Sequence, residues 1–298
     1  MPMRYTEIKA KTILNKVKGK DDWFGLTYTM NLYRGCEHQC IYCDTRSECY
    51  GIEAFEDEVL IKINGVELLR RTLPKRRWIG TIGFGSMNDP YTLAEAKYGL
   101  TSQALGVIAE QGWPVHILTK SDMVLKDLEK LKLISTVLAQ VSFSLTTTDD
   151  DLAKKLEPGA SSPSQRLKAM QILAESGIRT GLIMMPVLPF ITDNELNLTN
   201  LIEKAYAHKA SYIIPAFGVT LRDRQRAYFY RKLDEHFPGM RARYEQAFGD
   251  SYSASTERKP FLEALFNQLC LQHGLATHVE VFQPRKSVEQ LGLFGSSR

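Results

Sequence analysis

Three of the chain's five cysteines, Cys36, Cys40 and Cys43, share one short run with the spacing C-x3-C-x2-C. Chance would place that spacing in roughly one such chain per thousand, so it asks for a chemical reason. Soft thiolates on a short loop can fold onto one centre, and they suit zinc or iron–sulfur clusters. Structural zinc sites take four ligands, and most iron–sulfur clusters also take four cysteines. Three cysteines with no paired knuckle elsewhere point to a cluster with one iron left open. The other reading is a zinc loop completed by Cys49 or His38. An odd cysteine number without secretory context argues against a disulfide framework.

The motif follows a segment expected to be the first strand and carries Tyr42 before its last cysteine. In that setting it resembles the radical S-adenosylmethionine (SAM) superfamily, and the wider run 31–48 resembles the branch that includes spore photoproduct lyase. The resemblance spans most of residues 26–220 and is most specific at 36–43. It implies a 4Fe–4S cluster on Cys36, Cys40 and Cys43, with SAM chelating the fourth iron and Tyr42 against the adenine side. It also implies an activity. An external electron donor reduces the cluster, SAM is cleaved to methionine and a 5′-deoxyadenosyl radical, and that radical abstracts hydrogen from a substrate. In spore photoproduct lyase a cysteine at the end of the second-unit strand returns the hydrogen. Here that position falls near Ser86, and no cysteine occurs between Cys49 and Cys270. A serine O–H bond is too strong for the task, so the cofactor chemistry carries over and photoproduct repair does not. Cys49 is the candidate hydrogen-donating thiol, against the plainer reading of a spare cysteine. Cys270, in an apolar helical run, reads as core.

Barrel chemistry gathers at the C-terminal ends of strands. The run 78–84 leads into Gly85-Ser86-Met87-Asn88-Asp89, a turn of small residues. The resemblance implies contact with the methionine amino group there, making Ser86, Met87, Asn88 and Asp89 candidates as a group; a plain Asx turn is the alternative. Lys120 ends the strand 115–119, where the resemblance implies a cation for the methionine carboxylate. Alternation over 141–147 sets Ser142, Ser144 and Thr146 on one face, suited to a ribose or carboxylate. Met184, Met185, Val187 and Leu188 could pack the adenine or simply be core.

Two clusters mix cations with aromatics: Arg70, Arg71, Lys75, Arg76 and Arg77 beside Trp78, and five cations between 222 and 232 around Tyr228, Phe229 and Tyr230. Such mixtures suit phosphates and unstacked bases, and they also occur as solvated helix faces. The last residues carry Gln290, Leu291, Leu293 and Phe294, which resemble the short peptide by which bacterial repair proteins dock on the DNA sliding clamp. The expected partners are therefore an electron donor, a nucleic-acid substrate and that clamp. The competing class is a non-enzymatic zinc-loop protein that binds nucleic acid.

These residues need a scaffold. Short β-branched runs alternate with amphipathic stretches, the signature of a parallel sheet. Strands are expected at 26–33, 58–63, 78–84, 115–119, 137–145, 178–185 and 212–217. Helices are expected at 64–73, 95–111, 164–176 and 193–208. About six βα units make the fold class α/β, a partial (β/α)6 TIM-type barrel with a helical C-terminal extension. The expected divisions are an N-terminal extension (1–25), the barrel (26–220), a helical region (221–282) and a tail (283–298). Helices alone are expected beyond Val219, at 223–236, 240–248 and 260–273. With 298 residues, 24% charged and a net charge of +4, the composition is globular and weakly basic. No apolar run reaches the length of a membrane span, and the first residues lack a signal-peptide stretch, so a cytoplasmic protein is expected.

Overall fold

A computed structural model describes residues 3–284. The first elements are strands: β1 (Arg4–Ile8), β2 (Leu14–Lys16), β3 (Tyr28–Met30) and β4 (Tyr33–Arg34). The strand expected over 26–33 is thus split. After Met30 the chain changes partners: the carbonyl of Leu32 accepts from the Lys62 N–H at 3.0 Å. β4 therefore pairs antiparallel with β5 (Glu58–Lys62), and β1 pairs parallel with β5 on its other side. The 58–63 run is a strand as expected, but it belongs to this separate three-stranded sheet rather than to the barrel.

Helix α1 (Gly65–Thr72) precedes β6 (Ile82–Phe84). The helix expected over 95–111 is two helices, α2 (Leu93–Tyr98) and α3 (Leu100–Glu110). Gly99 takes a left-handed conformation at φ 63° and closes α2, its N–H donating to the Glu95 carbonyl. The buried Glu95 carboxylate then accepts from the N–H groups of Thr101 and Ser102, capping the second helix. β7 (Val115–Thr119), α4 (Leu128–Ser135), β8 (Ala139–Ser144) and α5 (Asp150–Leu156) follow. Next come α6 (Pro163–Glu175), started by a Ser162/Gln165 capping box, then β9 (Arg179–Met184), α7 (Glu195–Ala207) and β10 (Tyr212–Pro215).

One seven-stranded sheet has the order β10-β9-β8-β7-β6-β3-β2. Six neighbours, β3 and β6 to β10, are mutually parallel, and β2 adds an antiparallel edge. This is an α/β fold with the strand content of a (β/α)6 partial barrel. Every residue of β8 is buried, as a central parallel strand covered on both faces requires. The loops that follow these strands collect at one rim.

The C-terminal region is not purely helical. β11 (Gly218–Thr220) pairs antiparallel with β12 (Ser253–Ser255), while α8 (Asp223–His236), α9 (Met240–Phe248) and α10 (Lys259–His273) fall where the periodicity predicts them. The outer edge of β10 is occupied as well, since the Ile213 N–H donates to the Ala276 carbonyl at 2.8 Å. None of the described helices is long and apolar enough to cross a membrane.

Candidate active site

The cysteine run turns tightly at the rim. Gly35 sits at φ 103°, and a Cβ there would lie 2.5 Å from the Glu58 carbonyl oxygen. Only glycine fits both constraints. Asn88 secures the same turn, its Oδ1 accepting from the Gly35 N–H at 3.0 Å. The loop is docked from below by the connection between α5 and α6. The Ile41 N–H donates to the Leu156 carbonyl, and the Gly159 N–H donates to the His38 carbonyl, both at 2.9 Å.

Two buried carboxylates organise the surroundings. Asp89 accepts from the Tyr91 N–H, the Thr119 hydroxyl and the Lys120 N–H, and its Oδ2 lies 3.1 Å from His38 Nε2. Burial alone would raise the Asp89 pKa, but His38 and these donors outweigh it and keep the group below the usual carboxylate range. One side chain thereby joins the β6 loop, the end of β7 and the cysteine loop. Glu157 accepts from the Tyr42 hydroxyl and from Arg166 Nη2 at 2.6 Å. Arg166 also donates to the carbonyls of Ser144 and Ser161, so the pair anchors Tyr42 to the end of β8.

Between these supports lies a cavity of about 390 Å³. Its wall holds Cys36, Cys40, Cys43, Tyr42, Ser86 and Lys120, with Ser144 on the β8 side. Burial raises the Cys36 thiol, with Asp89 and the other two cysteines adding to the effect. Burial likewise pushes Cys40 up to about 12, against the opposing Lys120 charge. Three thiols on one short loop, of which the buried Cys36 and Cys40 resist ionising, are a donor set matched to a multiply charged metal centre, which would hold all three as thiolates. Burial would lower the Lys120 ammonium's pKa, but Cys40 and Glu157 outweigh it and hold the group protonated.

The family model described as the Radical SAM superfamily matches residues 30–202. The chain belongs to the radical SAM superfamily. An uncharacterized Mycobacterium tuberculosis protein, Rv2578c, is 29% identical over 272 residues, which is 89% of this chain and 77% of that protein. A Pseudomonas phage M6 protein named Radical SAM Nalpha-GlyT isomerase is 28% identical over 184 residues, 61% of this chain and 37% of that protein. Spore photoproduct lyase complexed with dinucleoside spore photoproduct superposes with a TM-score of 0.64 at 14% identity, over 90% of this chain and 79% of that one. That likeness shows a shared radical SAM fold.

The radical SAM cavity unites only some of the residues singled out by sequence. Ser86, Met87, Asp89, Lys120, Ser144 and Met185 line it with the cysteine loop. Asn88 stands behind the wall, holding Gly35. Ser142 lies deeper in the barrel, its hydroxyl 2.7 Å from both His116 Nε2 and the Tyr212 hydroxyl. Cys49 is exposed outside the cavity wall, its Sγ accepting from the Ser47 hydroxyl and Arg222 Nη1 at 3.3 Å each. Cys270 is buried in the main core. His38 turns both ring nitrogens to protein partners, with Nδ1 at 2.9 Å from the Gly159 carbonyl and Nε2 facing Asp89.

Part of the cation cluster on α8 is tied to backbone, while the Arg231 side chain is 57% exposed. Arg224 donates to the carbonyls of Arg46 and Ile52, Arg226 donates to those of Leu221 and Ser251, and Tyr228, Phe229 and Tyr230 are buried. Arg70 to Arg77 precede β6 and so lie toward the rim opposite the cavity, with Arg70 and Arg71 paired to Glu110 and Glu67. The residues missed from sequence are Glu157, Arg166 and Phe24. The first two act across nine residues with no local motif, and Phe24 reaches the cavity from the N-terminal extension. The tail residues Gln290, Leu291, Leu293 and Phe294 lie outside the described residues.

Proposed function

We propose that this protein is a radical SAM enzyme that abstracts hydrogen from a nucleic-acid substrate. Cys36, Cys40 and Cys43 would hold a 4Fe–4S cluster, which when bound and reduced supplies the electron for cleaving SAM to methionine and a 5′-deoxyadenosyl radical. The observation that carries this reading is one cavity lined by Cys36, Cys40 and Cys43 together with Lys120 at a strand end. Lys120 provides a fixed cation for the methionine carboxylate, worth more in a desolvated pocket than in water. Tyr42, held by Glu157, and Ser144, held beside Arg166, provide the walls for the nucleoside part. Ser86 is placed to accept or donate at the methionine amino group.

A zinc loop would need a fourth ligand. His38 is committed to Gly159 and Asp89, and Cys49 stands outside the cavity. Both observations favour the cluster. The nucleic-acid class rests on the weakly basic charge and on the likeness to a lyase solved with a dinucleoside spore photoproduct. Among the described residues no cysteine besides the three ligands lines the cavity, so thiol return of hydrogen as in photoproduct repair is not part of this proposal.

Anaerobic reconstitution followed by iron counting tests the reading. About four irons per chain are expected, together with visible absorption that vanishes on replacing any one of Cys36, Cys40 or Cys43 with Ala. Dithionite and SAM should then release 5′-deoxyadenosine. Stoichiometric zinc with no retained iron would establish the zinc loop instead. An external electron donor replaces dithionite in the cell. Docking on a sliding clamp through Gln290, Leu291, Leu293 and Phe294 is a separate proposal, tested by retention of the full chain and of a Leu291–Phe294 deletion on immobilised clamp.

A further inference from the structure

Beside the cavity, on the side where the barrel stays open, lies a second groove of about 280 Å³ between residue 23, the end of β10 and α10. Ala216 lines both spaces, and Phe24, next to Trp23, lines the cavity itself. The two are therefore adjacent. Trp23 is 51% exposed, an unusual state for so large an apolar ring. Its backbone is nevertheless pinned. The Asp21 carboxylate accepts from the N–H groups of Trp23, Phe24 and Leu26, and the Gly25 N–H donates to the Asp21 carbonyl. An indole displayed on a fixed loop loses little entropy when something stacks on it.

Facing the groove, α10 presents Lys259, Glu263 and Asn267. Four-residue steps set them about 6 Å apart along the helix, giving cation, acceptor and amide in a row. Lys259 Nζ lies 3.6 Å from Glu263. Leading into Trp23, Lys16 at the end of β2 and Lys18 and Lys20 in the loop after it are all exposed, with Lys20 Nζ 2.6 Å from Asp22. Cations strung along a loop beside an aromatic platform match the backbone charge and the base faces of a single strand. An extended peptide would instead seek the free edge of a sheet, and the outer edge of β10 is already taken at Ile213.

We propose that this groove is a subsite for a base of a single-stranded nucleic acid, stacked on Trp23, with phosphates on the lysine loop and the base edge facing Glu263 and Asn267. The proposal rests on the nucleic-acid reading of the cavity and assigns the residues that deliver that substrate to it.

Oligothymidylate, titrated at low salt into the full-length protein carrying Trp78→Phe, tests it by tryptophan emission. Trp23 emission should be quenched over the constant signal of the buried Trp113. Read by the anisotropy of a fluorescein-labelled oligothymidylate, Trp23→Ala should weaken binding roughly tenfold and Trp23→Phe should restore most of the loss. Replacing Lys16, Lys18 and Lys20 with Gln should flatten the salt dependence, since each lost phosphate contact removes about 0.7 from the logarithmic slope for single strands. Tight binding that ignores all these changes would overturn the subsite and leave the nucleic-acid reading standing. No binding by the parent protein would overturn both. Quenching by an unstructured peptide in place of the oligonucleotide would reassign the groove to a protein partner.

Discussion

Single side chains in the active site work in tied sets, and the buried Glu157–Arg166 pair shows why that matters. Each has a side chain 1% exposed, and together they hold Tyr42, the end of β8 and the cysteine loop. Breaking such a pair leaves an uncompensated buried charge. Arg166→Met should therefore cost roughly 3–5 kcal/mol in urea unfolding, and Arg166→Met with Glu157→Leu should recover a large part of it. An additive double variant would mean that the two charges do not depend on each other. Lys120 belongs to the same neighbourhood but has a different task. Lys120→Ala should weaken SAM binding by about tenfold or more, the usual loss for one charge-assisted contact, while the iron content stays unchanged. Equilibrium dialysis with radiolabelled SAM measures it.

At the scale of elements, the connection between α5 and α6 acts as a brace for the cysteine loop. Its Gly159 has no room for a side chain, since a Cβ would fall 2.1 Å from the Glu37 carbonyl oxygen. That contact is backbone against backbone, so neither partner can rotate away. Gly159→Ala should push the brace off the loop and lower iron retention after reconstitution, with the far-UV circular dichroism of the barrel preserved. Full iron retention in that variant would show that the loop holds its shape without support. The split of the 95–111 helix belongs to this scale too. A left-handed Gly99 and a buried Glu95 that caps α3 are compatible with a continuous apolar stripe, which is why periodicity alone reads one helix there.

For the whole molecule, His116 links three barrel strands beneath the cavity. Its Nδ1 lies 3.1 Å from the Phe24 carbonyl, so that nitrogen carries the proton, and Nε2 accepts from the Ser142 hydroxyl near Tyr212. Burial lowers its pKa from 6.5 to about 4. The unfolded chain therefore binds a proton below about 6.5 that the folded chain refuses until about 4. Stability from this group is complete above pH 6.5 and drains away as pH falls toward 4, by about 3 kcal/mol in all. Urea unfolding between those pH values should show the slope, and His116→Gln should remove most of it. An unchanged slope in that variant would place the acid sensitivity elsewhere.

The sequence alone determined the chemistry and the rhythm of this protein. Cys36, Cys40 and Cys43 are local in the chain, so their spacing carries the family, and the alternation of strands and helices from β6 to β10 follows from period-2 and period-3.6 patterns that depend only on neighbours. The three C-terminal helices were legible for the same reason. Only the tertiary structure decided which strand pairs with which. Both β4 and β5 look like barrel strands by composition, yet hydrogen bonding to β1 assigns β5 to a separate sheet. It also decided which polar residues reach the cavity. Ser142 and Ser144 are equivalent by alternation, but two residues back along β8 the side chain leaves the rim for the His116–Tyr212 contact. Asp89, Glu157 and Arg166 act through partners as far as 115 residues away. Long-range contacts of that kind leave no periodic trace in a sequence, because the chain brings them together only after its strands have chosen their order.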